Sequence, residues 1–199
     1  MKKAFTILEL VMVIVVIGIL AAVVIPRTGS NRLGEAATQV ISHIRYTQHL
    51  AMIDDKFDAD TANWFMARWQ ILFQGDGSGS GKIYLIYSDS DLDDNVPENG
   101  EIALDPLSGK QMTGNSSFNN RIDSMNLTKR YGINSVNTAG CAGGKKRIFF
   151  DHLGRPYTNN NTLLDDLLTN QCEIVLISNE GNITIAIEPE TGYAHITDN

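Results

Sequence analysis

The chain has little positive charge, few cysteines and none of the common catalytic signatures. Its 199 residues carry 16 Lys and Arg against 23 Asp and Glu, a formal net charge of −7, and an acidic chain is a poor non-specific binder of nucleic acid. It contains no Cys-x-x-Cys, His-Glu-x-x-His or Gly-x-Ser-x-Gly, and its four histidines have no paired-ligand spacing. We therefore expect no catalytic site, no metal and no cofactor, and the protein is not predicted to be an enzyme.

Long hydrophobic runs are absent except at the N-terminus. The mean hydropathy is −0.11, yet nearly all of the surplus hydrophobicity lies in the first 25 residues. Residues 5–25 are 21 positions in which Glu9 is the only charge. A helix of that length spans about 30 Å, the thickness of the hydrocarbon core of a bilayer. Two lysines precede the run, which predicts a basic leader in the cytoplasm and export of the rest of the chain.

Two ordinary explanations of this run leave Glu9 unexplained. A secretory signal peptide has an apolar core of about 7–15 residues and a small-x-small cleavage site. The run is longer, and Ala-Ala-Val at 21–23 is a poor cleavage pattern. A plain transmembrane anchor accounts for the length but not for a carboxylate, which costs up to about 3 kcal/mol inside such a segment.

The N-terminal segment resembles the processing signal of type IV prepilins. Residues 1–4, Met-Lys-Lys-Ala, match a short basic leader, and residues 5–9, Phe-Thr-Ile-Leu-Glu, match the start of the mature chain. The resemblance implies that a prepilin peptidase cuts between Ala4 and Phe5 and methylates the new amine. It also implies that Glu9 pairs with the Phe5 amine of a neighbouring subunit and sets the stagger between subunits, because a buried carboxylate needs a cationic partner.

Pro26 also matches the pilin pattern, whereas Ala4 departs from it. Pro26 falls where pilins place a proline that kinks the long helix. The residue before the cut is usually Gly in the family and is Ala4 here. A small residue is retained, so we expect processing that is slower or more selective.

The rest of the chain predicts one amphipathic helix followed by strands. Apolar residues at three- and four-residue spacing predict a buried helix face of Leu33, Ala37, Val40, Ile41, Ile44 and Ala51. We expect this helix to end near residues 58–60. Strands are predicted at 68–73, 82–87, 101–104, 147–150, 173–177, 183–187 and 193–196, with a glycine-rich hairpin loop at 75–81 and a short helix near 121–127.

These segments predict an α+β, pilin-like fold. One long N-terminal helix, membrane-spanning in its first half and amphipathic in its second, is expected to pack on an antiparallel β-sheet. The predicted organisation is a leader at 1–4, a transmembrane or filament-core helix at 5–26, an amphipathic helix at 27–60 and a periplasmic β-rich domain at 61–199. The predicted location is the inner membrane, crossed once, with the bulk of the chain in the periplasm and later assembly into a pilus or pseudopilus.

The C-terminal third has a second, weaker resemblance. Residues 148–156 end in Gly-Arg-Pro, and residues 183–192 form an alternating strand that ends in Pro-x-Thr-Gly. Both look like segments of the H/FimT-type minor pseudopilins. The resemblance implies a minor subunit of a type II secretion pseudopilus, a type IV pilus or a DNA-uptake filament. The implied partners are the prepilin peptidase, other pilin or pseudopilin subunits and an inner-membrane assembly platform. The alternative is a single-pass membrane-anchored periplasmic binding domain that does not polymerise.

Cys141 and Cys172 are the only cysteines. In an exported domain an even count favours a disulfide, which would close a loop of about 32 residues. Two free thiols are the alternative.

Two charged clusters suggest ligands without specifying them. Asp89, Asp91 and Asp93 place carboxylates at alternate positions, as in half of a calcium loop, but the required Gly at position six and Glu at position twelve are missing. We expect a solvated acidic loop. The basic run at 145–147 is compatible with contact to a phosphate backbone, but the last hairpin lacks arginine, so nucleic acid as a partner is unsupported.

Overall fold

The structure is a computed structural model, and it describes residues 6–24, 31–77, 81–93, 97–138, 141, 146–158 and 166–197. The chain divides into two units, Met1–Asn31 and Arg32–Asn199. The first contains helix α1 (Ile7–Val24). The described part of the second contains α2 (Arg32–Ile53), α3 (Leu127–Tyr131) and eight strands.

Helix α1 is apolar on all of its sides. Glu9 in the first turn is its only charged residue, and an acidic side chain there interacts favourably with the helix dipole. The backbone N–H of Glu9 donates to the Thr6 hydroxyl at 3.3 Å. Among the side chains of this helix that the structure describes, twelve large apolar ones are exposed, and these are Ile7, Leu8, Leu10, Val11, Met12, Val13, Ile14, Val15, Val16, Ile17, Ile19 and Leu20.

Helix α2 is amphipathic because its apolar residues recur with the helical period. Its buried residues are Ala36, Ala37, Val40, Ile41, Ile44, Thr47 and Ala51. Leu33, at the start of the predicted face, is partly buried and packs against the same core. The helix ends at Ile53, several residues before the predicted end.

The strands form two antiparallel four-stranded sheets. The first has the order β2-β1-β4-β5 and the second the order β3-β6-β7-β8. The strand bounds are β1 Gln70–Gly75, β2 Lys82–Tyr87, β3 Ile133–Asn137, β4 Arg147–Phe150, β5 Pro156–Tyr157, β6 Cys172–Ser178, β7 Gly181–Ile187 and β8 Ala194–Thr197. Helix α2 contacts strands of both sheets.

The first sheet is buried on both faces. Ile71 and Phe73 of β1 belong to the main core, which also includes apolar residues of α2 and of the second sheet. Leu72 lies between them in the sequence and therefore points to the opposite face. It joins a smaller cluster with Leu85, Tyr87 and Ile102.

The predicted membrane span is wrong. Among the residues that the structure describes, no helix is both long enough and apolar enough to cross a membrane. Helix α1 has 18 residues, about 27 Å, whereas the prediction counted residues 5–25 as one helix of about 30 Å. Both ends of that run, at 5 and 25, lie outside the described residues. A single-pass inner-membrane location is therefore not supported, and neither is the membrane-anchored alternative.

The predicted arrangement of one long helix packed on one sheet is also wrong. Helices α1 and α2 belong to different units, and the strands on which α2 packs form two sheets. The chain is α+β, but periodicity could not show how the strands divide, because strands of both sheets have the same period of two.

Candidate functional sites

Three residues with predicted roles in processing and assembly lie outside the described residues. These are Ala4 and Phe5, at the predicted cleavage site, and Pro26, at the predicted kink. Their roles stay predictions from the sequence.

Glu9 is a single carboxylate on an apolar helix. It is exposed, and so are its neighbours Leu8 and Leu10, at 76% and 61%. Any association that buries these side chains also removes the Glu9 carboxylate from water. An unpaired buried carboxylate is costly, so such an association favours a cation at this position.

Cys141 and Cys172 form a disulfide, the pairing that the even cysteine count favours. Both residues are fully buried and belong to the main core. The bond links Cys141, which follows β3 in the chain, to the first residue of β6, across a sequence separation of 31. Its role is structural.

The acidic loop brings together a different set of carboxylates from the one its spacing suggests. Oxygens of Asp89, Asp91 and Glu101 lie within 4.8 Å of one another, whereas Asp93 is not part of this group. The Asp93 N–H instead bonds to the Asp89 carboxylate at 3.3 Å. Glu101 accepts a hydrogen bond from the Ser90 N–H at 2.8 Å. These carboxylates therefore serve the loop's own backbone, and we assign no metal to them.

The two segments of the second resemblance meet at one side chain of α2. The Gln48 amide donates to the carbonyl oxygens of Gly154 and Thr191, both at 2.8 Å. Gly154 and Gly192 have positive φ values of 78° and 65°, which other residues rarely adopt. These turns are therefore building elements of the fold.

A partly buried polar network connects α2 to the first sheet. The Tyr84 hydroxyl lies 2.7 Å from His43 Nδ1 and accepts a hydrogen bond from Gln39 Nε2 at 2.6 Å. The Tyr131 hydroxyl donates to Gln39 Oε1 at 2.7 Å. Burial lowers the pKa of His43 to about 4, against a weaker opposing effect of the Asp105 charge. The partly buried His43 is therefore neutral at pH 7.

An aromatic pocket that the sequence analysis missed lies beyond the end of α2. We call it the Trp64 pocket. Phe57, Trp64 and Tyr157 line it together with charged side chains, and its volume is about 440 Å³. The Phe57 and Trp64 rings meet edge to face at 5.1 Å, a favourable geometry for aromatic pairs. Both tryptophans of the chain, Trp64 and Trp69, lie within six positions, but Trp69 does not line this pocket, so no local pattern marks it.

An ion pair between Arg155 and Asp151 forms the polar side of the Trp64 pocket. Arg155 Nη2 lies 2.7 Å from Asp151 Oδ2, and Arg155 Nε donates to the same oxygen at 2.8 Å. Burial disfavours the charged form of Asp151, but the hydrogen bonds from Arg155 outweigh it and lower the pKa of the carboxyl. The Arg68 guanidinium, on a side chain that is 3% exposed, lies over the Tyr157 ring at 4.3 Å. Asp151, Arg155 and Arg68 are therefore held in place by contacts within the protein itself.

Comparison of the chain with protein-family models, with curated proteins and with solved structures finds no match. The resemblance to pilins therefore depends on the residues of this sequence alone.

Proposed function

We propose that the chain is a prepilin-like structural subunit, and a minor one, of a type II secretion pseudopilus, a type IV pilus or a DNA-uptake filament. In this proposal the chain catalyses no reaction. The observation that supports it most is helix α1, an exposed helix that is apolar on all sides and has one carboxylate near its start.

The exposed surface of α1 is the driving force for assembly in this proposal. A helix that is apolar on all sides is stable only when other apolar groups surround it. Burying part of the twelve exposed side chains against the same helix of other subunits would gain on the order of 10 kcal/mol. Apolar burial has no direction, so it does not select one axial position of a subunit.

Glu9 supplies the axial position. Cleavage after Ala4 would create a new amine on Phe5, and that amine is a cation at neutral pH. Pairing of the Glu9 carboxylate with the amine of a neighbouring subunit offsets the cost of burying both charges. Subunits out of register would leave the carboxylate unpaired. The partners in this proposal are the prepilin peptidase and other pilin-like subunits.

The first test is the N-terminus of the protein, measured by mass spectrometry in cells with and without a prepilin peptidase. We expect a chain that begins at methylated Phe5 only when the peptidase is present. A terminus at Met1 in both strains would contradict the proposal.

The second test separates register from folding. Glu9→Gln removes the charge and keeps the shape, and we expect it to abolish incorporation into filaments while leaving cleavage intact. Glu35→Gln is the matched control, because Glu35 also lies in the first turn of a helix, α2. Equal incorporation of the two variants would contradict the role of Glu9.

A further inference from the structure

We infer that the Trp64 pocket is a binding site for a neutral saccharide. The inference goes beyond filament assembly and does not rest on it, because every residue that carries it lies in the second unit.

The aromatic rings offer apolar faces to a ligand. The Phe57 side chain is 61% exposed although it is large and apolar, and Trp64 is half-buried beside it. The edge-to-face contact at 5.1 Å favours one arrangement of the two rings. A pyranose ring has one face of C–H groups, which are apolar and complementary to the electron-rich face of an aromatic ring. Two rings already in contact at the mouth of a pocket suit such a ligand because less order has to be gained on binding.

The polar groups are planar donors and acceptors next to those rings. The Asp151 carboxylate is buried and already accepts hydrogen bonds from Arg155 Nε at 2.8 Å and from the Tyr157 hydroxyl at 3.1 Å, so its role is to position Arg155. The polar groups open to a ligand are the partly exposed Arg155 and the exposed side chains of Asp55 and His152. Neighbouring hydroxyl groups of a sugar match the paired atoms of a carboxylate or a guanidinium. A few fixed polar groups in a mostly apolar pocket are typical of sites for small ligands.

The balance of charge in the pocket favours a neutral ligand. Its two acidic residues, Asp55 and Asp151, oppose its two arginines, Arg68 and Arg155. Asp151 is already paired with Arg155. An anionic or cationic ligand would therefore gain little from the field of the site and would lose its hydration. A polyhydroxylated neutral molecule loses less on entry.

The strand beside the pocket is closed to an extended peptide. β5 pairs with β4 on one side. On its other side Tyr157 forms a bridge with Leu167, and the Leu168 N–H donates to the Pro156 carbonyl at 2.9 Å. A peptide that binds by adding a strand needs a free edge. The volume of about 440 Å³ instead lies in the range of small-molecule sites.

The test is a titration of the full chain with neutral sugars, in which the fluorescence of Trp64 reports binding. Trp69→Phe leaves Trp64 as the only tryptophan, and a detergent without a sugar headgroup keeps the apolar α1 in solution. The probes are glucose, galactose, mannose, N-acetylglucosamine and chitobiose, each at up to about 10 mM, well above a Kd of 1 mM. Galacturonate and glucosamine are the charged probes. We expect saturable binding of at least one neutral probe and weaker binding of both charged ones.

Variants locate the site. We expect Phe57→Ala to weaken binding about tenfold, because it removes one aromatic face without opening the core. Tyr193→Ala is the control, since Tyr193 is similarly exposed, at 55%, and does not line the pocket. The inference is overturned if no neutral probe binds, if a charged probe binds more tightly, or if Phe57→Ala binds as well as the control. Circular dichroism checks the folding of every variant, and Phe57→Leu replaces Phe57→Ala if the latter does not fold.

Discussion

His43 and Gly192 show how single residues constrain this fold. His43 has its pKa lowered to about 4 by burial, from 6.5 in a free side chain. The unfolded chain therefore binds a proton on His43 at a higher pH than the folded chain does. Stability from the neutral imidazole is fully present above about pH 6.5 and is lost as the pH falls toward 4.

We expect the free energy of unfolding to fall by up to about 3 kcal/mol between pH 7 and pH 4 through His43 alone. Urea unfolding at several pH values measures it. His43→Asn removes the titrating group, so its stability should fall less with acid than that of the wild type. His49→Asn is the control, because His49 is exposed on the same helix. If the free energy of unfolding of His43→Asn and that of His49→Asn fell equally between pH 7 and pH 4, this account would be contradicted.

Gly192 combines a special backbone conformation with a close approach. A Cβ added there would lie 2.8 Å from both the Gly154 carbonyl oxygen and Gln48 Nε2. Gly109 has nearly the same φ, 67° against 65°, but a Cβ there would meet nothing within 4 Å. Both changes to Ala incur backbone strain of about 1 kcal/mol. We expect Gly192→Ala to cost about 1–3 kcal/mol more than Gly109→Ala in urea unfolding. Equal losses of stability in the two variants would mean that the Gln48 side chain moves away from the added Cβ at little cost, and would contradict this prediction.

At the scale of the elements, the strands with a strong local pattern were predictable. The bounds of β2 and β4 coincide with the predicted ranges, 82–87 and 147–150. β3 was missed because only two of its five residues, Ile133 and Val136, are buried. Its strand conformation comes from pairing with β6, which no local pattern reveals. The predicted strand at 101–104 is present only as isolated bridges.

The candidate sites, like the strands, were predictable only where the sequence carries a local signal. The disulfide was predictable because two cysteines allow one pairing. The Trp64 pocket was not, because Trp64 and Asp151 lie far apart in the sequence and meet only in the folded chain. The contact of Gln48 with two distant turns is hidden for the same reason.

The disulfide ties two elements that are far apart in the chain, and its removal should loosen the second sheet. We expect Cys141→Ala with Cys172→Ala to lower the free energy of unfolding by about 3–4 kcal/mol, because the loop of about 32 residues is then free in the unfolded chain. Urea unfolding with and without a reducing agent measures it. The reductant should destabilise the wild type by a similar amount and leave the double variant unchanged. A wild type that is insensitive to complete reduction would contradict this expectation.

At the scale of the whole molecule, the main core belongs to the second unit, and the proposed assembly depends on the first. The main core extends from Ala36 to Ala194 and takes no residue from the first unit among those that the structure describes. We expect a chain that begins at Arg32 to unfold cooperatively with a Tm within about 3 °C of the full chain, which corresponds to a change of about 1 kcal/mol. The same shortened chain should not enter filaments, because it lacks the apolar helix and Glu9. Thermal unfolding followed by near-UV circular dichroism tests the first expectation, and Ile44→Ala, a fully buried position, calibrates it with an expected loss of about 2–5 kcal/mol. A shortened chain that melts without cooperativity would show that the first unit contributes to the fold, and would contradict the expectation that the second unit folds on its own.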